Sequence, residues 1–140
     1  MRFILDNSVT MRWLIQDGSR DRIAYSDSIL ALLAQVGTEA VVPGIWPLEV
    51  ASVVLKSELS RTIDEARSTA FVGLLDALPI SVDDQTAARA LGDCLQLARR
   101  YKLSSYDASY LELALREGLP LATLDGDLRK AMVKAGVPLA

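Results

Sequence analysis

Four acidic residues that are far apart in the sequence occupy positions from which an α/β fold can direct side chains into one crevice: Asp6, Glu49, Asp107 and Asp125. Asp6 ends the first apolar run and Asp125 ends the last clear one, whereas Glu49 and Asp107 fall in the opening turns of two expected helices. Because open parallel sheets bind ligands outside the carboxyl ends of their strands, these side chains can converge there. An all-oxygen ligand set suits Mg²⁺ or Mn²⁺ better than zinc. The pattern therefore predicts a metal-dependent enzyme that acts on phosphates.

The composition limits the chemistry that the chain can perform. Its 140 residues fit one domain, residues 1–140, and are enough to bury a core without disulfides. The absence of histidine excludes serine–histidine catalysis and histidine-ligated metals, and the single cysteine, Cys94, can form neither an internal disulfide nor a zinc site. Because Leu91 and Leu95 flank Cys94 in an expected helix, we interpret its thiol as buried and inert. The net charge of −3 argues against broad nonspecific binding of nucleic acids.

No segment resembles a secretion signal or a membrane anchor. The amino-terminal sequence, residues 1–6, becomes charged too early for a signal peptide, and no apolar run approaches the length needed to cross a bilayer. We therefore expect a cytoplasmic protein with no membrane partner.

Strand-like and helix-like patterns alternate along the chain, which predicts a single-domain three-layer α/β sandwich with helices flanking a mostly parallel central sheet. The expected strands are 2–5, 39–42, 79–82 and 121–124, with a further edge strand at 137–139. The expected helices are 8–15, 20–36, 47–59, 62–78, 83–101, 104–117 and 126–135. Ser8 is available to cap the first helix, and Thr62 begins a capping-box sequence for the fourth. The apolar helix 47–59 is expected to be buried in the core or in a subunit interface.

Each of the four acids has a structural explanation when it is considered alone. Asp107 completes a capping box that begins at Ser104. A negative charge at Glu49 complements the dipole of a helix that begins near Pro47. Asp125 precedes a glycine in a common turn pair, and Asp6 is placed to partner the helix that follows it.

Considered together, the acids favour a shared site. Asp107 lies on the same expected helix face as Leu111, Ala114 and Leu115, so it ends an apolar stripe instead of facing solvent. Asp6 follows a strand that should be central and buried. Because carboxylates held close together repel one another, a fold that keeps them there usually does so with the help of a bound cation.

Three further residues near the strand ends are candidates for supporting roles. The hydroxyls of Ser8 and Thr123 are suited to hydrogen bonds that orient metal ligands, although a helix cap and a β-branched strand residue explain them equally well. Asp127 either joins the site or occupies the first turn of a helix, and we favour the helix role.

Four blocks of sequence resemble the PIN-domain ribonucleases, and most closely the VapC-like toxins of bacterial type II toxin–antitoxin pairs. The likeness covers essentially the whole chain. The blocks are residues 3–8 (FILDNS), 46–51 (WPLEVA), 103–114 (LSSYDASYLELA) and 118–125 (GLPLATLD). The third block, followed closely by the fourth, is the specific part, because a strand that ends in aspartate is common.

The resemblance implies a PIN-like fold and an endoribonuclease that requires Mg²⁺ or Mn²⁺. It implies that Asp6, Glu49, Asp107 and Asp125 form the catalytic and metal-binding set, and all four are present. It also implies cleavage products with 5′-phosphate and 3′-hydroxyl ends, a homodimer, and a cognate antitoxin that occludes the active-site cleft.

Basic residues form two clusters that are suited to hold the RNA backbone. Arg99, Arg100 and Lys102 come just before the helix that carries Asp107. A second group near the amino terminus is Arg12, Arg20 and Arg22. A solvated helix face explains any one of these residues at least as well.

Two other classes of protein remain open at the level of sequence. The first is an aspartate-based phosphatase or a receiver-like domain, although a haloacid-dehalogenase-like phosphatase needs a second aspartate where this chain has Ser8. The second is a non-catalytic PIN-fold interaction module, which explains the apolar helix but gives the four acids no role. The RNA target, the choice of RNA over DNA and the number of metal ions also stay open.

Overall fold

A four-stranded parallel sheet forms the centre of the structure, a computed structural model that describes residues 1–140. The strands are β1 (Arg2–Leu5), β2 (Glu39–Val42), β3 (Ile80–Val82) and β4 (Leu121–Ala122), in the order β3-β2-β1-β4. All three pairings are parallel, with Ile4 of β1 aligned with Val41 of β2 and with Leu121 of β4. Along the chain, β2 and β3 are added in turn on one side of β1, and β4 is then added on the other side of β1. The point at which the strand order reverses therefore lies between β1 and β4.

Helices flank this sheet, so the expected α/β fold is confirmed. The α-helices are α1 (Asn7–Thr10), α2 (Arg20–Leu33), α3 (Trp46–Leu59), α4 (Glu65–Ala77), α5 (Thr86–Arg89), α6 (Leu95–Tyr101), α7 (Ser105–Glu117) and α8 (Gly126–Ala135). A 3₁₀ turn (Met11–Trp13) extends α1, and a π-helical turn (Ala90–Cys94) joins α5 to α6. None of these helices is both long and apolar enough to span a bilayer.

The core is centred on β1 and α7. Phe3, Ile4 and Leu5 of β1 are fully buried, as expected of a parallel strand that is covered on both faces. Residues 108–114 of α7 are all buried, so this helix is enclosed on every side. The first turn of α7, which carries Asp107, is thereby held in a fixed position against the sheet.

A buried ion network ties α7 to the end of β3. The Arg116 guanidinium donates two hydrogen bonds to the Asp83 carboxylate, at 3.0 and 2.8 Å, and its Nε donates to Glu112 Oε1 at 2.8 Å. The Asp83 and Glu112 side chains are only 9% and 5% exposed. Hydrogen bonds from Arg116 lower the pKa of Asp83, and those two carboxylates raise the pKa of Arg116. Asp83 and Arg116 therefore stay charged at neutral pH.

Two expected helix caps are wrong. Asp6, not Ser8, occupies the cap position of α1, and the Ser8 hydroxyl instead donates to Asp6 Oδ2 at 2.6 Å. Helix α4 begins after Asp64, whose Oδ1 accepts from the Arg67 amide at 2.9 Å, while the Thr62 hydroxyl pairs with that of Ser60. In both places a hydroxyl that looks like a local cap has a different partner in the folded chain.

The expected continuous helix 83–101 is also wrong. The first helix in this segment, α5, begins only at Thr86, because the Asp83 carboxylate binds Arg116 and the Gln85 amide. The π-helical turn that contains Gly92 then interrupts the α-helical hydrogen bonding before α6. Cys94 ends this turn and is buried, and burial raises the pKa of its thiol, so the expectation of a buried thiol is confirmed.

Helix α3 is less buried than its apolar sequence predicts. Trp46 and Val50 face the core, but Leu48, Leu55 and Leu59 are exposed. Burial of the whole helix in the core is therefore wrong, whereas a subunit interface on its outer face stays a prediction. Leu115 of α7, expected on a buried stripe with Asp107, is likewise exposed.

Several element ends are shorter than expected. Helix α2 stops at Leu33, three residues before the expected end, and β4 stops at Ala122. The expected edge strand at 137–139 is reduced to one parallel bridge between Leu121 and Leu139. Residues 123–125 are therefore free of the β-ladder, and their polar groups can contact the neighbouring strand end.

Candidate active site

Two of the four acids follow the strands on either side of the strand-order reversal. Asp6 follows β1 directly, and its amide donates to Ala122 O of β4 at 3.0 Å. Asp125 is the cap residue of α8, and its Oδ1 accepts from the Leu128 amide at 2.8 Å. Because β1 and β4 are neighbouring parallel strands, both residues lie at the carboxyl edge of the sheet.

Two helices supply the other acids. Asp107 lies in the first turn of α7, where its amide donates to Ser104 Oγ at 3.0 Å, so Ser104 is the expected cap of this helix. Glu49 lies in the first turn of α3, after Pro47. The Tyr110 phenol donates to Glu49 Oε1 at 2.6 Å, and this contact joins α3 to α7.

Tyr110 is a site residue that the sequence analysis missed. It is fully buried, and burial together with the charges of Asp6 and Glu49 raises its pKa, so the phenol stays protonated and donates. Its position three residues after Asp107 was an available signal, since residues three apart lie on one helix face. A tyrosine one turn beyond Asp107 is therefore directed toward the same crevice.

The hydroxyls of Ser8 and Thr123 both bind Asp6. They donate to Asp6 Oδ2 at 2.6 and 2.7 Å, and no side chain donates to Oδ1. Ser8 Oγ also accepts from the Leu124 amide, and Thr123 Oγ1 accepts from the Asp125 amide, each at 3.0 Å. One oxygen of Asp6 is thus fixed by two neutral donors, and the same hydroxyls hold the segment that leads to Asp125.

The four carboxylates interact electrostatically. Burial raises the pKa of Asp107 to about 6, with further contributions from the negative charges of Asp125 and Asp6. Burial also raises the pKa of Asp6, where Asp125 adds to the effect and the two hydroxyls oppose it. For Glu49 burial again comes first, with Asp6 and Asp107 raising the pKa and the Tyr110 hydrogen bond lowering it. Negative charge is therefore concentrated and poorly solvated in this crevice.

Removing one of these charges is expected to stabilise the metal-free fold. Asp107 binds a proton more tightly in the folded chain, with a pKa of about 6, than at its ordinary value of 3.8. Its charge therefore destabilises the folded state above about pH 6, and this cost is relieved as the pH falls from 6 toward 3.8. We expect Asp107→Asn to raise the free energy of unfolding at pH 7.5 by about 1–2 kcal/mol, allowing for solvent screening of a partly exposed group.

Urea unfolding in EDTA measures this effect. The variant should also show a weaker gain in stability between pH 7 and pH 5 than the unmodified chain. Asp27→Asn on the exposed face of α2 is the matched control. It removes the same charge from a side chain that forms no hydrogen bond. A loss of stability in Asp107→Asn at pH 7.5 contradicts the assignment of a destabilising charge.

The four carboxylates are ligands of the type that a hard divalent cation prefers. They offer oxygens whose mutual repulsion a cation would offset, and no nitrogen or sulfur ligand lies among them. As the side chains stand, no three such groups form a ready-made ligand set, so three-fold coordination requires side-chain rotation. Asp127 is exposed in the first turn of α8, and its charge adds only a minor contribution to the pKa of Asp107. The structure therefore gives Asp127 the helix position favoured from the sequence.

The two basic clusters differ in how many of their cations are free of ion pairs. Arg99 and Arg100 are exposed in the last turn of α6, and Lys102, with a left-handed φ of 55°, ends that helix just before the cap of α7. In the other group, the Arg12 guanidinium forms an ion pair with Asp17, which neutralises its charge. The first cluster is thus the freer of the two.

Comparisons with known proteins agree with this architecture. A family model for the PIN domain matches residues 3–134. The fold is similar to PAE2754 from Pyrobaculum aerophilum, with a TM-score of 0.66 and 20% identity over 94% of this chain and 79% of that one.

Two further solved structures share the fold. One is VapBC2 from Rickettsia felis bound to a DNA fragment from its promoter, with a TM-score of 0.68 and 13% identity over 100% of this chain and 98% of that one. The other is FitAcB from Neisseria gonorrhoeae, with a TM-score of 0.54 and 20% identity over 99% and 96% of the two chains. A search of curated protein sequences gives no significant match. Because the family model spans nearly all of the chain, the protein belongs to the PIN domain family.

Proposed function

We propose that the protein is a metal-dependent endoribonuclease and the toxin of a type II toxin–antitoxin pair. PIN domains are generally nucleases. The observation that supports the proposal is that burial and the charges of neighbouring carboxylates raise the pKa of Asp6, Glu49 and Asp107, with Asp125 contributing at Asp6 and Asp107. A non-catalytic module would gain nothing from this arrangement, which destabilises its fold.

The four carboxylates are the proposed ligands of Mg²⁺ or Mn²⁺. Such an ion, when bound, offsets the charge of the phosphate and lowers the pKa of the attacking water. The chain orients the ligands: Ser8 and Thr123 hold Asp6, and the Tyr110 phenol holds Glu49. In each case a neutral donor binds one carboxylate oxygen, which leaves the ligand its negative charge and its other oxygen.

The proposal extends to the partners of the protein. The sequence blocks that resemble VapC-like toxins, together with the fold shared with VapBC2 and FitAcB, support a cognate antitoxin that covers the crevice. We also propose a homodimer, for which the exposed leucines of α3 offer an apolar surface. A toxin that cleaves cellular RNA acts in the cytoplasm, and we place the protein there. Arg99, Arg100 and Lys102 are proposed to hold the RNA backbone outside the crevice.

Divalent metal is expected to stabilise the fold. A ligand that binds only the folded state stabilises it by about 2.7 kcal/mol at 100 times its Kd, which raises Tm on the order of 10 °C for a domain of this size. Thermal unfolding in 5 mM EDTA and in a series of Mn²⁺ concentrations measures the shift. Asp6→Asn should show a much smaller shift, and Asp27→Asn should match the unmodified chain. An unchanged Tm at millimolar Mn²⁺ would contradict the proposed metal site.

The activity itself is tested by incubating the purified chain with cellular RNA in Mn²⁺ or in EDTA. We expect cleavage only with the metal, and end-specific ligation followed by sequencing should give 5′-phosphate and 3′-hydroxyl termini. Equal cleavage in EDTA, or cleavage of DNA alone, would contradict the proposal.

A further inference from the structure

A cavity of about 360 Å³ opens directly beside the acidic crevice. Glu49, one of the four acids, forms part of its wall, and so does Asn7, the neighbour of Asp6 in the chain. The remaining polar wall residues are Ser52, Lys56 and Tyr106. The cavity therefore adjoins the proposed cleavage site and differs from it in chemistry, because it contains a cation and an aromatic ring.

One face of α3 runs along this cavity from the acid to the cation. Glu49, Ser52 and Lys56 are separated by three and four residues, which places them on one side of the helix. Glu49 and Lys56 are seven positions apart, which corresponds to about 10 Å along the helix axis. Lys56 is exposed and has no carboxylate partner, so its ammonium is free to bind an anion.

Tyr106 provides the aromatic surface. Its side chain is 58% exposed although it directly precedes Asp107 and lies in the first turn of the most buried helix. Exposed aromatic rings in nucleic-acid-binding clefts serve as surfaces on which unpaired bases stack. An exposed phenol ring next to a proposed catalytic acid is placed to hold a base near the bond that is cut.

Asn7 contributes a buried acceptor without a donor. Its Oδ1 is buried and has no hydrogen-bond partner in the chain. A buried polar atom left unpaired is unfavourable, so a ligand that supplies a donor relieves this cost. Base amino groups and ribose 2′-hydroxyls are such donors.

The neighbouring apolar cavity between α3 and α4 lacks these features. It has a volume of about 420 Å³, and its charged residues are the carboxylates of Glu58 and Asp76, with no cation. A phosphate would be repelled there. The cavity that contains Lys56 and Tyr106 is therefore the one whose chemistry matches a nucleotide.

We propose that this cavity is the subsite for the nucleotide that flanks the cleaved phosphodiester: its base stacks on Tyr106, its outer phosphate pairs with Lys56, and Asn7 accepts a hydrogen bond from it. The inference rests on the proposed ribonuclease function and adds the residues that select and position the substrate. Single-stranded RNA is the substrate form that fits, because only an unpaired base can leave its stack to reach the ring.

Binding is tested without catalysis, by fluorescence anisotropy of a labelled single-stranded RNA decamer in EDTA. Tyr106→Ala should weaken binding about 5- to 150-fold, the loss expected for one stacked base, while Tyr106→Phe should stay within about 2-fold. Lys56→Ala should make the slope of log K against log salt shallower by about 0.7, the value for one single-strand phosphate contact. Lys134→Ala, a lysine outside this cavity, should leave the slope unchanged. Because Tyr106, Lys56 and Lys134 are exposed, the Tm of each variant should equal that of the unmodified chain.

Each result has a defined meaning. If the unmodified chain binds RNA and cleaves it with Mn²⁺, but Tyr106→Ala binds as tightly, the subsite is wrong and the proposed function stands. If Tyr106→Ala weakens only the complex with a co-purified protein partner, the cavity holds a peptide and the nucleotide assignment is overturned. If the unmodified chain neither binds nor cleaves RNA, both proposals fail.

Discussion

Asp107→Asn is expected to reduce metal-dependent RNA cleavage by about 1,000-fold while the chain stays folded. The substitution keeps the size of the side chain and removes one of the negative charges that hold the cation. A cation contributes several kcal/mol to the stabilisation of charge in phosphoryl chemistry, and each 1.36 kcal/mol corresponds to a factor of ten in rate. Because Asp107 is only partly buried and its charge destabilises the metal-free fold, the loss should appear in the cleavage rate and not in stability.

The measurement is single-turnover cleavage of a labelled RNA in Mn²⁺, with circular dichroism to confirm the fold. Asp6→Asn tests the opposite side of the crevice, and Asp27→Asn controls for the change in net charge. Full cleavage by both the Asp107 and the Asp6 variants would show that the chemistry takes place elsewhere.

Arg116→Met is expected to destabilise the protein by about 3–5 kcal/mol, because it leaves the buried Asp83 without a counter-charge and leaves Glu112 with only its longer ion pair to Arg89, at 3.6 Å. Asp83 and Glu112 are both less than a tenth exposed, and Arg116 is the residue that bonds to each. The effect should depend on pH. The lowered pKa of Asp83 contributes stability that is present at neutral pH and is lost as the pH falls through its folded value. The difference between the two chains should therefore shrink in acid.

Urea unfolding at pH 7.5 and at about pH 3, below the ordinary aspartate pKa of 3.8, measures both parts of this prediction. Arg20→Met, at an exposed position in the first turn of α2, is the matched control and should change stability by less than about 0.5 kcal/mol. A double variant with Asp83→Asn should recover part of the loss, since it removes one unpaired charge. A loss below about 1 kcal/mol in Arg116→Met would mean that the network is not a stabilising contact.

The sequence was sufficient for the order of the elements and for the placement of the acids. Asp6 and Asp125 could be located because a carboxylate after an apolar run marks the end of a parallel strand, and parallel strands end at one edge. Glu49 and Asp107 could be located because proline and serine mark the first turns of their helices. Each of these signals lies within a few residues of the acid whose position it predicts. The electrostatic interaction of the acids, including the raised pKa values of Asp6, Glu49 and Asp107, depends on distances between elements that local patterns do not contain.

Two of the errors have a common physical origin. Ser8 looks like a cap until Thr123 and Leu124 arrive from the far end of the chain, and its hydroxyl then binds Asp6 and Leu124. Asp83 looks like a helix start until Arg116 takes its carboxylate. The π-helical turn in 83–101 has only Gly92 as a local sign. At Ser8 and Asp83 a contact between remote residues outweighs a weaker local preference.

The bond from Thr123 to Asp6 joins the last strand of the sheet to the first across 117 positions of the chain. Translation, at about 5–20 residues per second, produces β1 first and adds Asp107, Thr123 and Asp125 more than about a hundred residues later. A growing polypeptide still attached to its ribosome therefore carries Asp6 without the partners that orient it. The carboxylate of Asp6 therefore takes up its folded orientation only after Thr123 has been synthesised and has reached β1.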